Sequence, residues 1–107
     1  MQKISRERVQ SLMQRNASIV EVLPEQSFRK AHLPGAINVP FDSAFDERVQ
    51  SAVPDKNAPV IVYCASNECQ LSPQAAKHLD RLGYTQVFNY EAGKADWEKA
   101  DLPVETG

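Results

Sequence analysis

Val60-Ile61-Val62-Tyr63 is an unbroken apolar run with a proline before it and a cysteine, Cys64, after it. A strand with water on one face alternates apolar and polar side chains, so a run with no polar position must be covered on both faces. Helices packed above and below a parallel sheet give that cover, and this segment is expected to be the central strand. The rest of the sequence supplies the helices. Ser72-Pro73 precedes a stripe of Ala75, Ala76, Leu79 and Leu82, with Ser72 expected as N-cap, Pro73 at the first helical position and Gly83 as the stop. Ser5 is expected to cap a first helix running to about Asn16, with Ile4 and Val9 as a hydrophobic staple and Val9, Leu12 and Met13 as its apolar stripe. Residues 19–23 and 36–39 read as short strands, separated by a helical turn that Pro24 opens and by the turn Leu33-Pro34-Gly35. Phe41, Phe45, Val49 and Val53 recur every four residues and predict a helix that Pro54 ends. Residues 86–90 form another strand, and residues 94–100 a last helix carrying Trp97. Helix and strand alternate throughout, the order of an α/β domain with an open, mainly parallel sheet and helices on both faces. At 107 residues the chain builds one such domain, residues 1–107, and any site must come from a single set of strand and helix ends.

Charge and composition exclude several functions. Hydrophobic residues make up 42% and charged residues 24%, too apolar for a disordered chain. The net charge is −2 and the basic residues are scattered, so no patch is offered to nucleic acid or to an anionic membrane surface. No apolar stretch approaches the roughly 20 residues of a membrane helix. Met1 leads into a charged, amphipathic segment, residues 3–15, rather than a signal sequence, and a cytoplasmic location is expected. The two cysteines, Cys64 and Cys69, are too few for a disulfide framework and, without a neighbouring histidine, for a zinc site. No metal or cofactor is expected, and any role the pair has is reactive.

Cys64 has the position for such a role. Ligands of open α/β sheets collect at the carboxyl ends of strands. A helix N-terminus facing a cysteine there offers unpaired N–H groups and partial positive charge, which favour the thiolate and can hold its pKa at about 3.5 to 7.5. On position alone a second reading stands beside the nucleophile: a small, inert, buried residue, as many cysteines are.

Several blocks carry a resemblance. Residues 31–40 read Ala-His-Leu-Pro-Gly-Ala-Ile-Asn-Val-Pro; Val60-Ile61-Val62-Tyr63-Cys64, Ala75-Ala76 with Leu79, Gly83-Tyr84, residues 93–97 and Leu102-Pro103-Val104 follow in order. Together they resemble the rhodanese family over nearly the whole chain. The resemblance implies a sheet of about five parallel strands, and a cysteine that accepts a sulfane sulfur as a persulfide and passes it to a thiophilic acceptor. It assigns the nucleophile to Cys64, with the loop residues Ala65, Ser66, Asn67, Glu68, Gln70 and Leu71 binding substrate and the N–H groups of residues 65–70 cradling its charge. The sequence also departs from the family pattern. The interval from the cysteine to the alanine pair is longer than usual, and Leu71 stands where arginine is common. The loop contains no cation and one carboxylate, Glu68, so a dianion such as thiosulfate meets repulsion rather than a guanidinium fork. The same deficit counts against the oxyanion chemistry of phosphatases and arsenate reductases related to this fold. In place of the usual Ile-Asp-Val-Arg the chain has Val20-Glu21-Val22-Leu23, which lengthens the acid and removes the base.

With four residues between the thiols, Cys69 is close enough in sequence to attack a persulfide or sulfenate on Cys64 and leave a disulfide; as a resolving cysteine it competes with the reading of an incidental surface thiol. His32, before Leu-Pro-Gly, is expected to anchor a turn rather than move protons. His78 is expected exposed or packed, Trp97 a core anchor, and Glu21 a buried acid with a partner. Lys94, the first cation after the last strand, is expected to offset Glu68. Two functional classes follow: a sulfurtransferase or sulfane-sulfur carrier, whose partners are a sulfane-sulfur donor and a thiol acceptor, or a non-catalytic interaction domain on the same fold. A dithiol redox protein using Cys64 and Cys69 overlaps the first.

Overall fold

A computed structural model describes all residues, 1–107. Ten elements follow one another: β1 (Gln2–Lys3), α1 (Arg6–Met13), β2 (Ser18–Glu21), α2 (Glu25–Lys30), β3 (Ile37–Asn38), α3 (Phe45–Ala52), β4 (Val60–Tyr63), α4 (Leu71–Arg81), β5 (Val87–Tyr90) and α5 (Gly93–Lys99). The sheet has the order β1-β5-β4-β2-β3, every pairing is parallel, and β4 is central.

Alternation along β4 divides the core into two layers. Val60, Val62 and then Cys64 point to one face, where they meet Phe45 and Val49 of α3 and Ala75, Ala76 and Leu79 of α4. Ile61 and Tyr63 point to the other, against Val9 and Leu12 of α1 and Trp97 of α5. Both faces are covered, which is why all four residues of β4 are apolar and buried. No helix is long and apolar enough to cross a membrane.

Local signals account for most boundaries. Ser5 Oγ accepts from the Arg8 N–H at 3.2 Å and starts α1. That helix stops at Met13, short of Asn16, because Asn16 adopts a left-handed φ of 61° and the Ala17 N–H turns back to Leu12 O. Phe41 lies outside α3: the Asp42 carboxylate accepts from the Ala44 N–H at 2.9 Å and holds a turn, and Phe41 packs edge-on against Phe45. Sequence periodicity missed β1, whose two residues are exposed. The expected cap of α4 is a correction. The helix begins at Leu71, its cap residue Gln70 makes no side-chain bond, and Ser72 is buried with its hydroxyl unpartnered. Ser72 shares the helical stripe of Ala75, Ala76 and Leu79, so its side chain faces the core and not the helix end.

Candidate active site at the end of the central strand

Cys64 closes the central strand with its side chain toward α4 and 1% exposure. Its main chain is fixed from the opposite side by α5. The Lys94 N–H donates to Cys64 O at 2.9 Å and the Ala95 N–H to Ala65 O at 2.8 Å, so the first turn of α5 uses its spare donors on the start of the loop. Gly93 makes this approach possible: its φ is +69°, and a Cβ there would lie 2.5 Å from Cys64 O.

Beyond Ala65 the ties are few. The Cys69 N–H donates to Ser66 O at 3.0 Å and the Glu68 N–H to Ser66 Oγ at 3.4 Å, which closes a turn inside the loop. Two of the six N–H groups expected to cradle a thiolate are therefore committed to that turn. Those of Ala65, Ser66, Asn67 and Gln70 have no acceptor within the chain. Leu71 belongs to α4 rather than the loop, and packs on the core beside Cys69. Cys69 is half-buried and its sulfur is joined to that of Cys64, with the Cα atoms 6.4 Å apart, inside the span that disulfides bridge.

The sequence-based expectation for Lys94 is overturned. Its ammonium donates to Glu21 Oε2 and to Ser27 O, each at 3.0 Å, and so is not available to Glu68. Glu21 is fully buried, and a buried carboxylate captures the nearest cation that can reach it, because leaving either charge alone is costly. Glu21 Oε1 accepts from the Tyr63 hydroxyl at 2.8 Å, and that hydroxyl accepts from the Leu33 N–H at 3.1 Å. Burial, reinforced by the charge of Glu21, pushes the Tyr63 phenol far above its ordinary range, so it stays a donor. The register that sets Glu21 beside Tyr63 thus joins β2, β4, α2 and α5 directly behind Cys64. The base missing at Leu23 is supplied by Lys94, a substitution that no local pattern discloses because 73 residues separate it from Glu21.

Other residues take structural places. His32 Nδ1 lies 2.8 Å from Phe28 O and its ring stacks on Phe28, which anchors the turn before Leu33. His78 pairs with Asp46 at 2.7 Å. Trp97 is buried and donates through Nε1 to Pro103 O at 2.8 Å. Glu68 makes no ion pair; it lines a shallow cleft of about 280 Å³ with Ser66, Asn67, Asp96 and Lys99.

The model of the family described as "Rhodanese-like domain" matches residues 5–100, and the chain belongs to that family. The thiosulfate sulfurtransferase PspE of Escherichia coli is 46% identical over 67 residues, covering 63% of this chain and 61% of the relative. The thiosulfate sulfurtransferase GlpE of Pseudomonas aeruginosa is 28% identical over 105 residues, covering 98% of this chain and 90% of the relative. A solved rhodanese from E. coli, described with anions, superposes with a TM-score of 0.70 at 34% identity, over 85% of this chain and 99% of that one. The chain spans less than two thirds of the length of several curated relatives, PspE among them.

Proposed function

We propose that the chain is a sulfurtransferase or sulfane-sulfur carrier in which Cys64 takes the sulfur as a persulfide and a thiol acceptor removes it. One observation carries this reading: Cys64 sits at the carboxyl end of the central strand, at the head of a loop in which four N–H groups have no acceptor within the chain. Those donors favour a thiolate before reaction and a persulfide anion after it. The Cys64 thiolate attacks the outer sulfur of the donor, a new S–S bond forms, and sulfite or a thiolate leaves. Cys69 is the resolving cysteine, since its sulfur reaches that of Cys64.

Donor choice follows from charge. Glu68 is the only charged side chain of the loop, and the cation behind Cys64, Lys94, is already neutralised by Glu21. Thiosulfate brings two negative charges to a loop that supplies no cation of its own, and Lys99 in the adjoining cleft is set against the carboxylates of Glu68 and Asp96. A persulfide or polysulfide brings less charge to the reacting sulfur and is the better donor. The test compares the reduced protein with its variants in sulfur transfer from both donor classes. Cys64→Ser is expected to abolish transfer. Thiosulfate turnover is expected to be poor and to rise severalfold in Glu68→Arg, most at low ionic strength where charge is least screened. Transfer that survives in Cys64→Ser removes the nucleophile assignment, and efficient thiosulfate turnover by the unmodified protein removes the charge argument.

A further inference from the structure

We propose that the sulfur held by Cys64 leaves as hydrogen sulfide, and that the resulting disulfide is opened by a thiol reductant attacking Cys69 rather than Cys64. This rests on the persulfide reading above and names the partner that completes its cycle, a dithiol reductant.

The first step balances without an outside oxidant. The Cys69 thiolate attacks Cys64 Sγ; the Sγ–Sγ bond forms, and the bond from Cys64 Sγ to the outer sulfur breaks. The outer sulfur leaves with the electron pair and takes up the proton that Cys69 has lost. The sulfane sulfur is reduced to sulfide and the two thiols are oxidised to the disulfide. In the second step a dithiol gives back two electrons: one of its thiolates displaces a cysteine thiolate, and its second thiol resolves the mixed disulfide. Sulfane sulfur plus dithiol thus becomes hydrogen sulfide plus an oxidised dithiol.

Two features decide which sulfur the reductant meets. The first is access. In the disulfide Cys64 is 1% exposed, whereas Cys69 is half-buried between exposed neighbours, Glu68 and Gln70. Thiol–disulfide exchange requires approach to the attacked sulfur from outside, and only Cys69 permits it. The second is the leaving group. Attack at Cys69 expels Cys64 as thiolate at the head of a loop whose N–H groups at Ala65, Ser66, Asn67 and Gln70 have no acceptor within the chain and can turn to it, and the better stabilised thiolate leaves faster. The loop is built for this division of labour. Cys64 and Ala65 are held to α5 by two backbone bonds, while the main chain of residues 67–70 is tied to no element and, within the loop, only to Ser66, through the Cys69 and Glu68 N–H groups. The Cys69 half can move away to admit a donor while the nucleophile stays in place.

The experiment has two arms. Oxidised protein is exposed briefly to glutathione, quenched with iodoacetamide and cleaved after Glu68, which separates the two cysteines for mass analysis. Glutathione is expected on Cys69 and the alkyl group on Cys64, by at least about tenfold over the reverse. Glutathione mainly on Cys64 overturns the proposal. In the second arm reduced protein and Cys69→Ser, with Cys69→Ala as a second variant, are loaded with polysulfide and compared per loaded persulfide with no thiol added. Sulfide release is expected to fall at least about tenfold in either variant, and the unmodified protein to end as the disulfide. Equal release overturns the sulfide step. If Cys64 takes up no sulfur at all, the persulfide reading fails, and the first arm still decides where a reductant attacks.

Discussion

The buried polar cluster behind Cys64 and the loop in front of it lie at the same edge of the sheet and are held by opposite means. Behind, Glu21, Tyr63 and Lys94 have their hydrogen bonds satisfied by one another, by Leu33 N–H and by Ser27 O, with almost no contact with water. In front, residues 65–70 keep four N–H groups without acceptors, and beyond Ala65 they rely on one turn and one disulfide. A low dielectric strengthens a satisfied network and penalises an incomplete one, so the rear cluster is rigid. Free donors at the surface are solvated until an anion arrives, so the loop can bind and move. The difference teaches that the departures from the family pattern act separately. Leu23 and Glu21 change the rear cluster, which Lys94 restores; Glu68 and the longer interval change the loop, and no ion pair engages Glu68 there.

The largest expected effect breaks the rear cluster. Lys94→Met leaves the Glu21 carboxylate buried without its cation and is expected to destabilise the protein by about 3–5 kcal/mol, read from the midpoint of chemical denaturation. Glu68→Arg in the loop is expected to shift that midpoint by less than about 0.5 kcal/mol, so comparable losses from the two variants would erase the contrast. Tyr63→Phe is expected to cost about 1–3 kcal/mol, because the Leu33 N–H and one Glu21 oxygen lose their partner. The same phenol makes stability depend on alkaline pH. Its folded pKa lies above the unfolded value of about 10, as do those of Tyr84 and Tyr90, so the folded state binds more protons above that pH. The contribution is intact below about pH 10 and is lost as pH rises further; denaturation midpoints against pH should show Tyr63→Phe with a shallower fall. At Ser72 the expected effect is again small, and of the opposite sign. Removing an unpartnered buried hydroxyl from a helix should leave the midpoint unchanged or raise it by no more than about 1 kcal/mol in Ser72→Ala. A loss of that size would mean that the hydroxyl caps α4 after all.

The sequence discloses what local pattern controls. The run 60–63 identifies the central strand because double-sided cover leaves no polar position, and that strand carries Cys64 to the sheet's carboxyl edge. The alanine and leucine spacing of α4 identifies its buried face. The same spacing, extended one turn backward, places Ser72 on that face; capping preference and periodicity disagree there, and packing prevails. β1 is illegible because two exposed residues have no apolar signature, and only the register Gln2 to Phe88 makes them a strand. Lys94 is illegible for a different reason: its partner is fixed by tertiary contact between β2 and α5, and a lysine at the start of a helix reads as solvated until the carboxylate beside it is known to be buried.

The central claim is that Cys64 accepts sulfane sulfur, and intact-mass spectrometry of the fully reduced protein after brief exposure to a polysulfide tests it most directly. The account predicts a mass gain of one sulfur in Cys69→Ser, located by fragmentation on Cys64, and none in Cys64→Ser. Sulfur on the remaining cysteine of Cys64→Ser, or no gain in any form from polysulfide, thiosulfate or a persulfide donor, would contradict it.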